Sequence, residues 1–107
     1  LTVDFCGERY VVPDDEWLTL GREGDVVIDE NPYLHRRFLQ VGSVEGLWWI
    51  VNTGDQLAAT VADADGRVQA WPAPQERLPL VFSHTVVRFT AGPTTYEVDL
   101  HLEEAVF

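Results

Sequence analysis

Three of the seven basic residues of this chain stand at two turns, and they are the side chains best equipped for recognition chemistry. Arg22 closes the run Leu20-Gly21-Arg22. Arg36 and Arg37 lie in Asn31-Pro32-Tyr33-Leu34-His35-Arg36-Arg37-Phe38, a polar loop that runs into the apolar stretch Leu39-Gln40-Val41. A guanidinium is a planar fork that donates two parallel hydrogen bonds, which suits carboxylate or phosphate. The local charge count argues for a plainer reading. Between Gly21 and Arg37 three arginines face four carboxylates, Glu23, Asp25, Asp29 and Glu30, leaving a net of −1. On residue types alone, ion pairing with these acids on a solvated rim is the first expectation and an anion site the second.

Other chemistry is thinly represented. His35, His84 and His101 are scattered without the paired spacing of a zinc site, and Cys6 is the only thiol. No metal is therefore expected, and no internal disulfide can form. Asp63-Ala64-Asp65-Gly66 has its glycine at the fourth place of a would-be calcium loop and Pro74 at the twelfth, so it reads as a hairpin turn. Neither Ser43 nor Ser83 sits in a Gly-x-Ser-x-Gly elbow. The chain is expected to be non-catalytic and to carry no cofactor. Cys6 follows Val3-Asp4-Phe5 and is expected to be a small buried hydrophobe.

The whole composition narrows the classes further. The 107 residues, 46 % hydrophobic and 23 % charged, suit one globular domain with a core of its own. No apolar run approaches the roughly 18 to 20 residues needed to cross a bilayer, and no basic-then-apolar leader opens the chain, so no membrane role is expected. A lone cysteine fits a reducing cytoplasm. The net charge of −11 repels phosphate backbones, which excludes generic nucleic-acid binding. All the basic residues are Arg, the bias of a G+C-rich, bacterial coding sequence. The chain has no Met and begins at Leu1, so it is expected to be a piece of a longer protein.

The elements that position the arginines read as strands throughout. No window sustains an apolar i, i+3, i+4, i+7 series for two turns, and Gly and Pro recur. Residues 1–5 and 9–12 flank a hairpin loop at Cys6-Gly7-Glu8. Strands are predicted over 17–20, 26–28, 37–41 and 47–52, with a turn at 42–46. Further strands are predicted over 59–62, 67–71, 78–82, 85–90 and 94–102. About ten strands at spacings of about 8 to 12 residues predict an all-β sandwich or barrel in one domain, 1–107.

The order of these motifs resembles the forkhead-associated (FHA) family. The residues concerned are Gly21-Arg22, Asp25-Val26-Val27-Ile28-Asp29, Pro32-Tyr33-Leu34-His35-Arg36-Arg37-Phe38 and Trp48-Trp49-Ile50-Val51-Asn52-Thr53-Gly54. Leu78-Pro79-Leu80, Val86-Val87-Arg88-Phe89 and Tyr96-Glu97-Val98 are similar to its last strands. The resemblance implies a twisted β-sandwich of ten to eleven mostly antiparallel strands without significant helix. It also implies a signalling module whose loops at one end bind phosphothreonine peptides. Gly21-Arg22 and Arg36 match the family's basic positions, but the phosphate-binding Ser is replaced by His35 and the following structural His by Phe38. Where the family reads Ser-Thr-Asn-Gly-Thr after the glycine, this chain reads Asp55-Gln56-Leu57-Ala58-Ala59. Leu57 cannot hydrogen-bond a peptide, and Asp55 sets a negative charge beside an incoming phosphate of about −1.5 to −2.

The expectation is therefore an interaction module that binds a protein or peptide without requiring phosphorylation. Its face comprises Arg22, His35, Arg36, Arg37, Asn52, Thr53 and Gln56. Residual phosphothreonine recognition by the Arg22, His35 and Arg36 loops is the alternative within the binding class. A structural role, with weak self-association through sheet edges or exposed aromatics, is the alternative outside it. Trp48 and Trp49 are consecutive in a strand and must face opposite sides of the sheet, while Trp71 precedes Pro72 at a strand end.

Overall fold

The computed structural model describes residues 1–54, 57–66, 69–70 and 72–103. It contains eleven strands and, among these residues, no helix: β1 (Thr2–Phe5), β2 (Glu8–Val11), β3 (Trp17–Gly21), β4 (Val26–Val27), β5 (Leu39–Val44), β6 (Leu47–Asn52), β7 (Ala59–Asp63), β8 (Gln69–Ala70), β9 (Arg77–Pro79), β10 (His84–Ala91) and β11 (Thr94–His101). One sheet has the order β2-β1-β11-β10-β7-β8 and the other β4-β3-β5-β6-β9. Every pairing is antiparallel except β3 with β4. The alternation of β10, His84 to Ala91, buries Val87, Phe89 and Ala91 and leaves Arg88 and Thr90 outside. Such a pattern makes a sheet with one apolar face, and two of them close on a shared core.

That core takes Val3, Val87, Phe89, Val98 and Leu100 from the first sheet and Leu20, Leu39, Val41 and Ile50 from the second. Phe38, fully buried, joins the sheets: its ring stands edge-on to Phe89 at 4.9 Å, and Phe89 stacks on Tyr96 at 5.4 Å. Aromatic pairs favour these offset and edge-on arrangements. Phe38, where the resemblance implies a histidine, is thus a core residue at the root of the arginine loop.

Three local expectations are corrected. Cys6 is exposed, because β1 ends at Phe5, which pairs with Glu8. Cys6 and Gly7 form a two-residue hairpin with φ of 49° and 80°. Positive φ at both central residues matches the strand twist, and it lifts the thiol clear of the sheet. The segment 42–46 is not all turn. β5 continues through Gly42 and Ser43 to Val44, and the chain reverses only at Glu45-Gly46, φ 52° and 81°. Gly42 lies mid-strand because the Trp17 ring covers it, within 2.6 Å of where a Cβ would stand. The strand predicted over 78–82 is also shorter, with Leu80 to Phe82 beyond the end of β9. Of the strand predicted over 67–71, Gln69 and Ala70 pair with β7, while Arg67, Val68 and Trp71 lie outside the described residues.

Candidate functional site

The two arginine-bearing turns meet because the β3–β5 ladder extends past the strands themselves. The Phe38 amide donates to the Leu20 carbonyl at 2.9 Å, Arg22 to His35 at 2.9 Å, and Glu23 to Arg36 at 2.8 Å. Residues 20–23 therefore run alongside 35–38, and Arg22 is fixed beside the segment that carries Arg36 and Arg37. Gly21 permits this approach, since a Cβ there would collide with the Arg36 carbonyl oxygen. On the far side, the Thr53 amide donates to the Phe38 carbonyl at 2.8 Å, and its hydroxyl donates to the carbonyls of Arg37 and Phe38. Arg22, His35, Arg36, Arg37 and Thr53 thus line one groove of about 510 Å³, with Tyr33 and Gly54.

The ion pairs suggested by the charge count do not form. Among the described residues, no carboxylate pairs with the guanidinium of Arg22, Arg36 or Arg37. Two of the four neighbouring acids have other donors. Asp25 accepts from the Thr19 amide at 2.8 Å, and Asp29 accepts from the Tyr96 hydroxyl at 2.6 Å and the Glu30 amide at 2.8 Å. These contacts hold the Asp29 carboxyl below the usual carboxylate range, the Tyr96 hydroxyl being the larger cause. Burial first, and then the Asp29 contact, pushes the Tyr96 phenol up. Three cations are left facing one groove on a chain of net charge −11.

The loop carrying them is tied down at its start. The Asn31 side-chain amide donates to the Ala91 carbonyl at 2.8 Å and to the Tyr96 hydroxyl at 3.0 Å, and its oxygen accepts from the Tyr33 amide. The Tyr33 ring, 65 % exposed, rests against Gly92 at the β10–β11 turn, where φ is +60°. A Cβ there would collide with the ring. Asp29, Asn31, Tyr33 and Tyr96 thus position the groove, and none of them was expected among its residues. In the sequence Asp29 and Asn31 show as the turn signal Asp29-Glu30-Asn31-Pro32, while Tyr33 and Tyr96 fall within the motifs without a mark of this role.

His35 is wedged in place. Its ring sits 5.8 Å from Phe38, its Nε2 accepts from the Leu57 amide at 3.2 Å, and a Cβ at Gly54 would stand 2.5 Å from its Cδ2. Asn52, expected on the binding face, is instead part of the scaffold. It is fully buried, its Nδ2 donates to the carbonyls of Leu57 at 2.8 Å and Pro72 at 3.1 Å, and its Oδ1 accepts from the Gly54 amide at 3.0 Å. All its hydrogen-bonding atoms point into the protein. Gln56 lies outside the described residues, as does Asp55. Trp48 packs against the core and Trp49 faces away, while Trp71 is outside the described residues.

No protein-family model matches the sequence, and no curated protein does. The crystal structure of the FHA-1 domain of Mycobacterium tuberculosis Rv1747 superposes with a TM-score of 0.63 over 96 % of this chain and 95 % of that one, at 17 % identity. The fold is that of an FHA domain. At that identity the likeness is one of fold. Leu57, where the resemblance implies Asn, packs against the core and gives its amide to His35.

Proposed function

We propose that this FHA-like domain is a non-catalytic protein-interaction module that takes an acidic peptide segment in the Arg22–Arg36–Arg37 groove, with phosphorylation not required. The observation that carries this reading is the absence of carboxylate partners for these three guanidiniums among the described residues. Charge-assisted contacts to arginine are roughly twice as strong as neutral ones, and three cations along one groove suit a segment that carries several carboxylates. His35 and Leu57, at the positions where the resemblance implies Ser and Asn, supply neither a compact hydroxyl nor a side-chain amide to single out phosphothreonine. Tyr33 adds an apolar wall for the peptide's aliphatic groups.

The test is titration calorimetry at low salt with a Glu-Pro repeat peptide, a Thr-containing acidic peptide, and the same peptide carrying phosphothreonine. The expected result is binding of all three, with phosphate adding less than about tenfold. Arg22→Ala or Arg36→Ala should weaken binding by about ten- to a hundredfold, one charge-assisted contact being worth about 1.5–3 kcal/mol. Binding of the phosphopeptide alone would overturn phosphorylation independence. No heat from any of the three would overturn the acidic-peptide reading itself.

A further inference from the structure

The outer face of the five-stranded sheet carries a second surface, remote in register from the arginine loops. On β6, Trp48, Ile50 and Asn52 point inward, so Leu47, Trp49 and Val51 point out; on β5 the buried Leu39, Val41 and Ser43 put Gly42 and Val44 outside. Cross-strand register aligns Trp17 with Gly42, Gly42 with Trp49, and Trp49 with Pro79. Gly42 leaves a low floor onto which the Trp17 ring leans. Trp17, Val44 and Leu47 remain 41 %, 50 % and 51 % exposed, and with Trp49 they bound a groove of about 220 Å³. An exposed tryptophan beside a half-buried one and two exposed aliphatic side chains marks a contact surface on a small domain.

Charge selects the occupant. Glu45 lines the groove, and the exposed Asp14-Asp15-Glu16 turn leads directly into Trp17. A second copy would set one −11 chain and its acidic rim against another, which is repulsive. The chain's own Arg77 shows what these rings accept: its guanidinium carbon stands 4.9 Å over the centre of Trp49. We propose that this face docks a basic, arginine-bearing extended segment of a partner protein, one guanidinium stacking on Trp17 as Arg77 does on Trp49, with Glu45 and the Asp14–Glu16 turn holding its charge.

The test uses a fluorescein-labelled Arg-Pro repeat peptide and the whole chain, followed by anisotropy and by the indole N–H resonances of Trp17 and Trp49. Trp17→Ala leaves net charge unchanged, so diffuse attraction to an acidic surface predicts no effect, whereas ring stacking predicts binding at least tenfold weaker. Glu45→Arg, in an exposed turn, should weaken it at least fivefold, and both indole resonances should shift in the wild-type chain. The Glu-Pro peptide serves as control, since its binding depends on Arg22 and should survive both substitutions. The proposal falls if Trp17→Ala and Glu45→Arg bind the Arg-Pro peptide like wild type, or if the wild-type chain does not bind it. It falls equally if sedimentation equilibrium shows a dimer that Trp17→Ala dissociates, because the occupant is then a second copy.

Discussion

Replacing Asn52 by Ala removes three hydrogen bonds at once: two from Nδ2, to the carbonyls of Leu57 and Pro72, and one into Oδ1 from the Gly54 amide. Pro72 and Gly54 are buried and Leu57 is half-buried, so water replaces little of what is lost. At about 1 kcal/mol for each group left without a partner, the cost is about 3 kcal/mol. A domain of this size has about 5–15 kcal/mol in all, and the corresponding fall in Tm is roughly 10–20 °C. Urea unfolding followed by tryptophan fluorescence should show a lower midpoint with an unchanged slope. Asn52→Asp keeps the shape but turns an acceptor toward two carbonyls and buries a charge. It should be at least as destabilising at pH 7 and recover partly in acid, where a protonated carboxyl supplies one donor. An Asn52→Ala chain within 1 kcal/mol of wild type that nevertheless fails to bind acidic peptide would refute the scaffold role and return Asn52 to the recognition face.

Other expected outcomes concern the supports of the groove. Phe38→Ala, which empties the space between the sheets, should cost about 3–5 kcal/mol by urea unfolding. Gly54→Ala drives a methyl into the His35 ring, so the Leu57 amide resonance should shift and acidic-peptide binding weaken at least fivefold, with about 1–3 kcal/mol of stability lost. Tyr96→Phe removes the donor that keeps the Asp29 carboxyl low. A depressed carboxyl stabilises the fold above its unfolded value of about 3.9, and that contribution disappears as pH falls through the folded value. The wild-type advantage over Tyr96→Phe should therefore be full at pH 6 and shrink below about pH 4; a gap constant from pH 7 to pH 2.5 would disprove the link.

The strand pattern was legible because β-structure writes a period of two into sequence, and the turns at Asp65-Gly66 and Gly92-Pro93 punctuate it. Composition also determined the strongly acidic charge and ruled out an internal disulfide. Glycine was ambiguous: Gly46 marks a reversal with φ +81°, whereas Gly42 marks a tryptophan ring lying across a strand. The two cases look alike until the partner strand is known. Cys6 was misplaced for a similar reason, since one residue of turn length decides whether a side chain faces the core or water.

The fate of the charges belonged to the tertiary structure alone. Counting acids and bases along residues 21–37 favours neutralisation, but a hydrogen bond is settled by proximity in space, and Asp29 finds its donor in Tyr96, 67 positions away. Asn52 likewise carries no mark in the sequence to separate a buried amide that braces a loop from an exposed one that grips a peptide. Residue types determined that guanidiniums stand near strand ends. The pairing of β3 with β5 decided that three of them share a groove, because residues 20–23 run alongside 35–38.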